Sequence, residues 1–189
     1  MARFIVFCLL AASVILDVQS WDFRLIMFAI IFLLFLGEIS CTFTRSTKII
    51  QCGQEKCSAV TSNTPLGHYK LGAVEYNSGK NKNWVNLYPK KKKGDGYWDY
   101  YCENPDTNRS KIALHPGSVS LGCISVPDQS CWNKLEKEFK RHTSSALSVT
   151  GVERSGWKSY KTFSCNGGLL AGKQITKTVY VVGSLEVKS

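Results

Sequence analysis

The chain predicts a mainly β domain carrying one helix and held by disulfides, and three observations point there. Downstream of Thr64, short runs of aromatic and branched residues alternate with Gly, Pro and Asn breaks, the punctuation of strands and turns. One stretch, after Pro127, has apolar residues at helical spacing. Of the 8 cysteines, all but Cys8 lie beyond the apolar N-terminal region, a density that suits a disulfide framework.

The N-terminal region comes first. Arg3, an apolar run from Phe4 to Leu16 and a small residue at Ser20 have the layout of a secretory signal peptide. A second apolar run, Leu25 to Leu36, is 12 residues long between Arg24 and Glu38, short of the about 20 that cross a bilayer. Residues 1–42 are expected to be a leader, and a membrane anchor only if retained. Residues 43–189 are expected to form a single secreted domain of roughly 145 residues, enough for a proper core.

Charge gathers in that domain. The formal net charge is +10, and Arg3, Arg24 and Arg45 are balanced by Asp17, Asp22 and Glu38, so all of it falls on residues 46–189. An anionic partner follows: bacterial wall, glycan, membrane surface or nucleic acid.

Along the chain, the polar Cys52–Cys57 segment reads as a small loop, closed on itself or onto the body. A zinc site wants a second Cys/His pair at comparable spacing, whereas His68, His115 and His142 are scattered, so no metal is expected. His68–Tyr76 and Trp84–Tyr88 read as strands joined through a turn at Asn77-Ser78-Gly79. Lys90, Lys91, Lys92 and Lys93 lie between Pro89 and Gly94-Asp95-Gly96 on an exposed loop. They are either a solvated charge run or a patch that holds an anionic substrate polymer near a cleft. Tyr97, Trp98, Tyr100 and Tyr101 come close to the basic and aromatic interleaving of a nucleic-acid site. Aromatics between strands usually fill a core, however, and no nucleic-acid partner is expected.

Lys111–His115 alternates in strand fashion and delivers His115 to a strand end, and Ile124–Val126 reads as another short strand. Pro127 and Asp128 open a helix, with Trp132, Leu135 and Phe139 on one face and Glu136/Lys140 as an i,i+4 pair. Leu147–Val152 and the long run Gln174–Val187 are strand-like, the latter closing a sandwich or pairing at its edge.

The stretch Leu114-His115-Pro116-Gly117-Ser118-Val119-Ser120-Leu121-Gly122-Cys123-Ile124 sets one imidazole and one thiol eight residues apart around two glycines. A thiolate reacts where a thiol mostly does not, and neutral His takes a proton near pH 7. Gly122 lets the backbone turn tightly and aim amide N–H groups at a developing oxyanion. Cys123 and His115 are thus a candidate nucleophile and base, against the plainer reading of a bridge half and a buried structural histidine. Gln129-Ser130-Cys131-Trp132 imitates the nucleophile segment of papain-like proteases, which need His and Asn about 130–150 residues downstream. Only 58 residues follow Cys131, so a disulfide-bonded helix cysteine is expected there. Asn108-Arg109-Ser110 is an N-glycosylation sequon.

His115-x-Gly117 with Ser120-x-Gly122-Cys123 resembles the signature of the L,D-transpeptidase (YkuD-like) catalytic domain, which acts on the peptide stems of bacterial peptidoglycan. Thr64-Pro65-Leu66-Gly67-His68-Tyr69-Lys70-Leu71-Gly72 is similar to the Thr-Pro-x-Gly-x-Tyr strand upstream in that family. Leu121 replaces the family's second His, Ile124 and Ser125 stand where Arg or Asn is usual, and the spacing is short. That pattern is closer to the compact variants found among interbacterial toxin effectors.

The resemblance implies an L,D-transpeptidase-like β-sandwich with one helix after the nucleophile. It also implies acyl transfer through a thioester on Cys123, with His115 as base and backbone N–H groups of Leu121, Gly122 and Cys123 around the oxyanion. Ser120 and Gly117 would support the loop. No cofactor is implied; the partner would be peptidoglycan or its muropeptides, and the protein a monomer. With Cys123 kept for chemistry, Cys41, Cys52, Cys57, Cys102, Cys131 and Cys165 remain for three disulfides in one of fifteen connectivities. A rival from another class is a secreted, non-catalytic cationic binder of wall or glycan on the same scaffold.

Overall fold

Strand alternation dominates the computed structural model, which describes residues 37–103, 107–153, 163–165 and 173–189. The expected hairpin forms from β4 (Gly67–Asn77) and β5 (Lys82–Pro89), antiparallel with Glu75 opposite Trp84 and Leu71 opposite Leu87. β5 pairs with β8 (Ala113–Pro116), and β8 runs parallel to β9 (Ile124–Val126), with His115 level with Ser125.

Three strands precede β4, in a region where the sequence predicts only a leader to residue 42 and a small loop over Cys52–Cys57. β1 (Ile39–Thr44), β2 (Ile49–Cys52) and β3 (Glu55–Ser58) form a meander, and the polar Cys52–Cys57 segment is the β2–β3 hairpin itself. β1 crosses the expected 42/43 boundary between leader and domain, and Ile39 and Cys41 are already core residues.

The last strand takes a different place from the one expected. β12 (Gln174–Lys188) is central rather than an edge or a closing strand. Its first half pairs with β10 (Ser145–Val152) and its second half with parallel β1, while β4 lies along the other edge. A run of 15 residues is long enough to serve all three neighbours. The handover falls at the irregularity between Val181 and Gly183. A Cβ at Gly183 would overlap the Ile39 carbonyl, so the close β1–β12 approach requires glycine.

The sheet runs β3-β2-β1-β12-β4-β5-β8-β9, with β10 beside β12 and β6 (Tyr97–Trp98) beside β10. Its ends come together. Val60, two residues past β3, exchanges both backbone hydrogen bonds with Ser125 of β9, at 2.7 and 2.8 Å, which nearly closes the sheet. A separate parallel pair, β7 (Cys102–Glu103) with β11 (Phe163–Ser164), stands apart.

Alternation sorts side chains between two clusters. Leu71, Val85, Leu87, Leu114 and Ile124 face the main core, where α1 (Gln129–Arg141) buries Trp132, Leu135 and Phe139. Asp128 caps α1, its carboxylate accepting from the Ser130 and Cys131 amides, and the Glu136–Lys140 ion pair forms as expected. Tyr88, Tyr100, Ala113, Val149 and Val181 form the second cluster, with Trp84 and Cys123 packed against it. The candidate site lies on that second face.

All six candidate cysteines are paired: Cys41–Cys52, Cys57–Cys131 and Cys102–Cys165. The first joins β1 to β2, the second pins α1 to β3, and the third clasps the β7–β11 pair. Among the described residues, the mainly β architecture with one helix and three disulfides expected from sequence is the one present.

Candidate active site

Cys123 is the cysteine left unpaired among the described residues. It packs with Ala113 on the second face, while its neighbour Ile124 faces the main core. His115, two residues beyond Ala113 on the short strand β8, stacks on Trp84 at 4.8 Å and 15° between planes. Trp84 packs against the same cluster as Cys123, so thiol and imidazole share one side of the sheet, offset by two residues in register.

No hydrogen bond joins them among the described residues. The thiol lies 3.5 Å from the Lys111 carbonyl, and the Ala113 N–H also faces it. The imidazole Nδ1 lies 2.9 Å from the Pro116 carbonyl, and Nε2 lies 3.3 Å from Ser125 Oγ. A carbonyl can only accept, so Nδ1 carries the proton and Nε2 presents a lone pair. The same Pro116 oxygen accepts from Lys82 Nζ at 3.1 Å. Ser125 Oγ, fully buried, carries one hydrogen for two acceptors, Nε2 and the Val119 carbonyl at 3.2 Å, so it serves one of them at a time.

Both reactive groups rest neutral. Burial lowers the His115 pKa, Lys82 and Lys80 add to the effect, and the Pro116 hydrogen bond opposes it. Burial raises the Cys123 pKa, and the Ala113 N–H and Lys80 oppose that. The arrangement therefore suits a general base taking a proton during attack rather than a standing thiolate–imidazolium pair.

The glycines fit the turn argument. Gly117 and Gly122 have φ of 136° and 118°, where a side chain is strained. Gly117 N–H donates to the Val126 carbonyl at 2.9 Å, fixing the loop's start. Ser120 Oγ donates to the Cys123 carbonyl, closing the loop over three residues. Leu121 is 88% exposed, so only its backbone has an inward role.

The two sequence segments that carried the resemblance meet here. Thr64, fully buried, donates to the Gly122 carbonyl at 2.8 Å, and Tyr69 Oη donates to the Pro65 carbonyl at 2.7 Å. The Thr64–Tyr69 segment thus buttresses the turn before Cys123.

The lysine run is placed elsewhere. Lys90, Lys91 and Lys92 line a groove of about 420 Å³ with Leu66, His68 and Thr107, and Lys91 is engaged by Thr150 and the Trp98 ring. A different groove, of about 640 Å³, adjoins the thiol side, lined by Trp84, Tyr100 and Lys111. The cations near the site are Lys80, Lys82 and Arg109, whose Nη1 comes near Gly122. Sequence reading missed Lys82, Ser125 and Trp84 as site residues. Only the tertiary fold brings the hairpin over the His115 loop, although Ser125 could have been suspected from its place two residues after Cys123.

No family model matches the chain, and no curated protein matches it. Among solved structures it is similar to the crystal structure of Mycobacterium tuberculosis L,D-transpeptidase 1, at 10% identity and a TM-score of 0.36. That likeness covers 80% of this chain and 62%, under two thirds, of the other. A match that loose assigns neither family nor activity.

Proposed function

We propose that the chain is a secreted cysteine acyl transferase or hydrolase that acts on peptidoglycan stem peptides, in the manner of an L,D-transpeptidase or L,D-carboxypeptidase. One observation carries this reading. Among the seven cysteines of the described residues, the thiol left unpaired is on the same side of the sheet as an imidazole whose Nδ1 is engaged by a carbonyl, which leaves Nε2 as the base. Three disulfides suit an oxidising, extracellular setting.

In the first half-reaction the Cys123 side chain turns from the Lys111 carbonyl toward Nε2, which takes the S–H proton as sulfur attacks the stem carbonyl. Backbone N–H groups of Leu121, Gly122 and Cys123 receive the oxyanion. The C–N bond breaks as His115 returns the proton to the leaving amine, and a thioester remains. Water then releases an acid, or a second amine forms a new amide, and the thiol is restored. Ser125 Oγ gives its hydrogen to the Val119 carbonyl in this step, which leaves the Nε2 lone pair open to the thiol.

That no hydrogen bond joins thiol and base among the described residues, the thiol instead facing the Lys111 carbonyl, is the observation favouring the non-catalytic cationic binder. Two measurements separate the readings. Oxidised protein treated with an alkylating agent should label once, at Cys123. Wild type should release or exchange the terminal D-amino acid of tetrapeptide muropeptides while Cys123→Ala does not. Wall binding with full inactivity on those stems would remove the enzymatic reading.

A further inference from the structure

The groove of about 640 Å³ beside the thiol runs along the β4–β5 hairpin and the Tyr100–Tyr101 turn, and its size is in the range of small-ligand sites. Its walls combine Tyr76, Trp84 and Tyr101 with Glu75, Asn86 and Lys111. Tyr76 and Tyr101 are 63% and 36% exposed. Neither ring is loose. The Tyr76 hydroxyl donates to Asn81 Oδ1, and Tyr101 meets Tyr100 edge-on at 4.9 Å and 83°, with the Lys111 ammonium 6.0 Å from its centroid. Large aromatic surfaces that are wet yet already held lose little freedom when a ligand lands on them.

The polar groups narrow the ligand. Glu75 accepts from the Asn86 amide at 3.2 Å, which orients both and leaves further acceptor and donor capacity facing outward. No cation is paired with Glu75 among the described residues. A carboxylate in the wall disfavours a polyanion, while Lys80 and Lys111 in the same wall disfavour an organic cation. What suits exposed rings next to a carboxylate–amide pair is a neutral ligand with a flat C–H face and a rim of hydroxyls.

We propose that this groove is a binding site for a neutral carbohydrate chain, whose sugar faces stack on Tyr76 and Tyr101 and whose hydroxyls are bridged by Glu75 and Asn86. The site goes beyond the acyl-transfer reading, since it takes glycan rather than peptide and does not require the thiol to react.

The test uses the oxidised chain carrying Cys123→Ala, so that its outcome is independent of catalysis. Chitotetraose, a neutral N-acetylglucosamine oligomer, is titrated in while amide NMR shifts and tryptophan fluorescence are followed. Saturable binding is expected, with shifts gathered on Tyr76, Trp84, Asn86 and Tyr101. Tyr76→Ala and Tyr101→Ala should each weaken it up to about tenfold, as the loss of one ring contact implies. Tyr101→Phe, which keeps the ring, should retain most of the affinity and guards against a folding artefact. The proposal is overturned by no saturable binding of chitotetraose or cellotetraose, by affinity indifferent to both tyrosine truncations, or by shifts centred on the Lys90–Lys92 groove.

Discussion

One carbonyl oxygen organises the base. Pro116 O accepts from His115 Nδ1 and from Lys82 Nζ, so the imidazole is oriented by a group that also anchors a cation beside it. Burial comes first in keeping His115 below its ordinary value of 6.5, and Lys82 and Lys80 reinforce it. Lys82→Met keeps the stem and removes the charge, so the His115 pKa should rise, read by imidazole NMR titration; an unmoved midpoint would show that Lys82 does not act on the ring. The sign for stability follows from the same shifts. A depressed His pKa means the unfolded chain binds more protons below about 6.5, so stability falls as pH drops through that region. A raised thiol pKa means the unfolded chain ionises first above about 8 to 9, so stability also falls as pH rises through that region. Urea midpoints measured across pH should therefore lose part of their alkaline fall in Cys123→Ala and leave the acid fall unchanged. An alkaline fall identical in the variant would show that the thiol is not held neutral by the fold.

At the scale of elements, α1 shows how local chemistry and tertiary contact divide the work. Its cap is local: Asp128→Ala removes the acceptor for two amides and should reduce stability by about 1 kcal/mol. Its seating is tertiary. Glu136 accepts from Trp132 Nε1 at 3.0 Å and from Asn83 Nδ2 of β5 at 2.6 Å, besides its pair with Lys140. Glu136→Ala leaves the Trp132 donor buried without that partner and should destabilise by about 1–3 kcal/mol in urea unfolding, more than the cap variant; a smaller loss than Asp128→Ala would show that the network contributes little. The cap and the apolar face were legible in sequence because helical signals lie within a turn of each other. The β4–β5 hairpin and β9 were legible for the same reason, strand residues and breaks being adjacent. Non-local features were not. Nothing near Gln174 announces that β12 will accept three partners, and nothing near Lys82 announces Pro116. Cys123 and His115 could be named from their spacing, but their sharing a face through Ala113 and Trp84, with Ser125 level with the imidazole and in contact with its Nε2, depends on the parallel β8–β9 register.

For the whole molecule, the three bridges differ in what they close. Cys41–Cys52 spans 11 residues between neighbouring strands, whereas Cys57–Cys131 spans 74 and Cys102–Cys165 spans 63. A cross-link restricts the unfolded chain more as its loop lengthens, so chain entropy assigns about 3 kcal/mol to the first and about 4 kcal/mol to the other two. Cys57–Cys131 has a further effect, because it ties α1, which fills the main core, to β3, two residues past which Val60 closes the sheet onto Ser125. Ser125 in turn touches the base. The paired variant Cys57→Ala/Cys131→Ala should lower Tm by roughly 10 °C, given about 2–4 °C per kcal/mol for a chain of this size, and should also loosen the closure. Hydrogen exchange at the Val60 and Ser125 amides reads the second effect separately from the first. Faster exchange there than in Cys41→Ala/Cys52→Ala, at equal distance below each variant's Tm, is the expected result. Equal exchange in the two variants would mean that the helix bridge stabilises the chain without holding the sheet's seam, and that the position of the base is maintained by the strands alone.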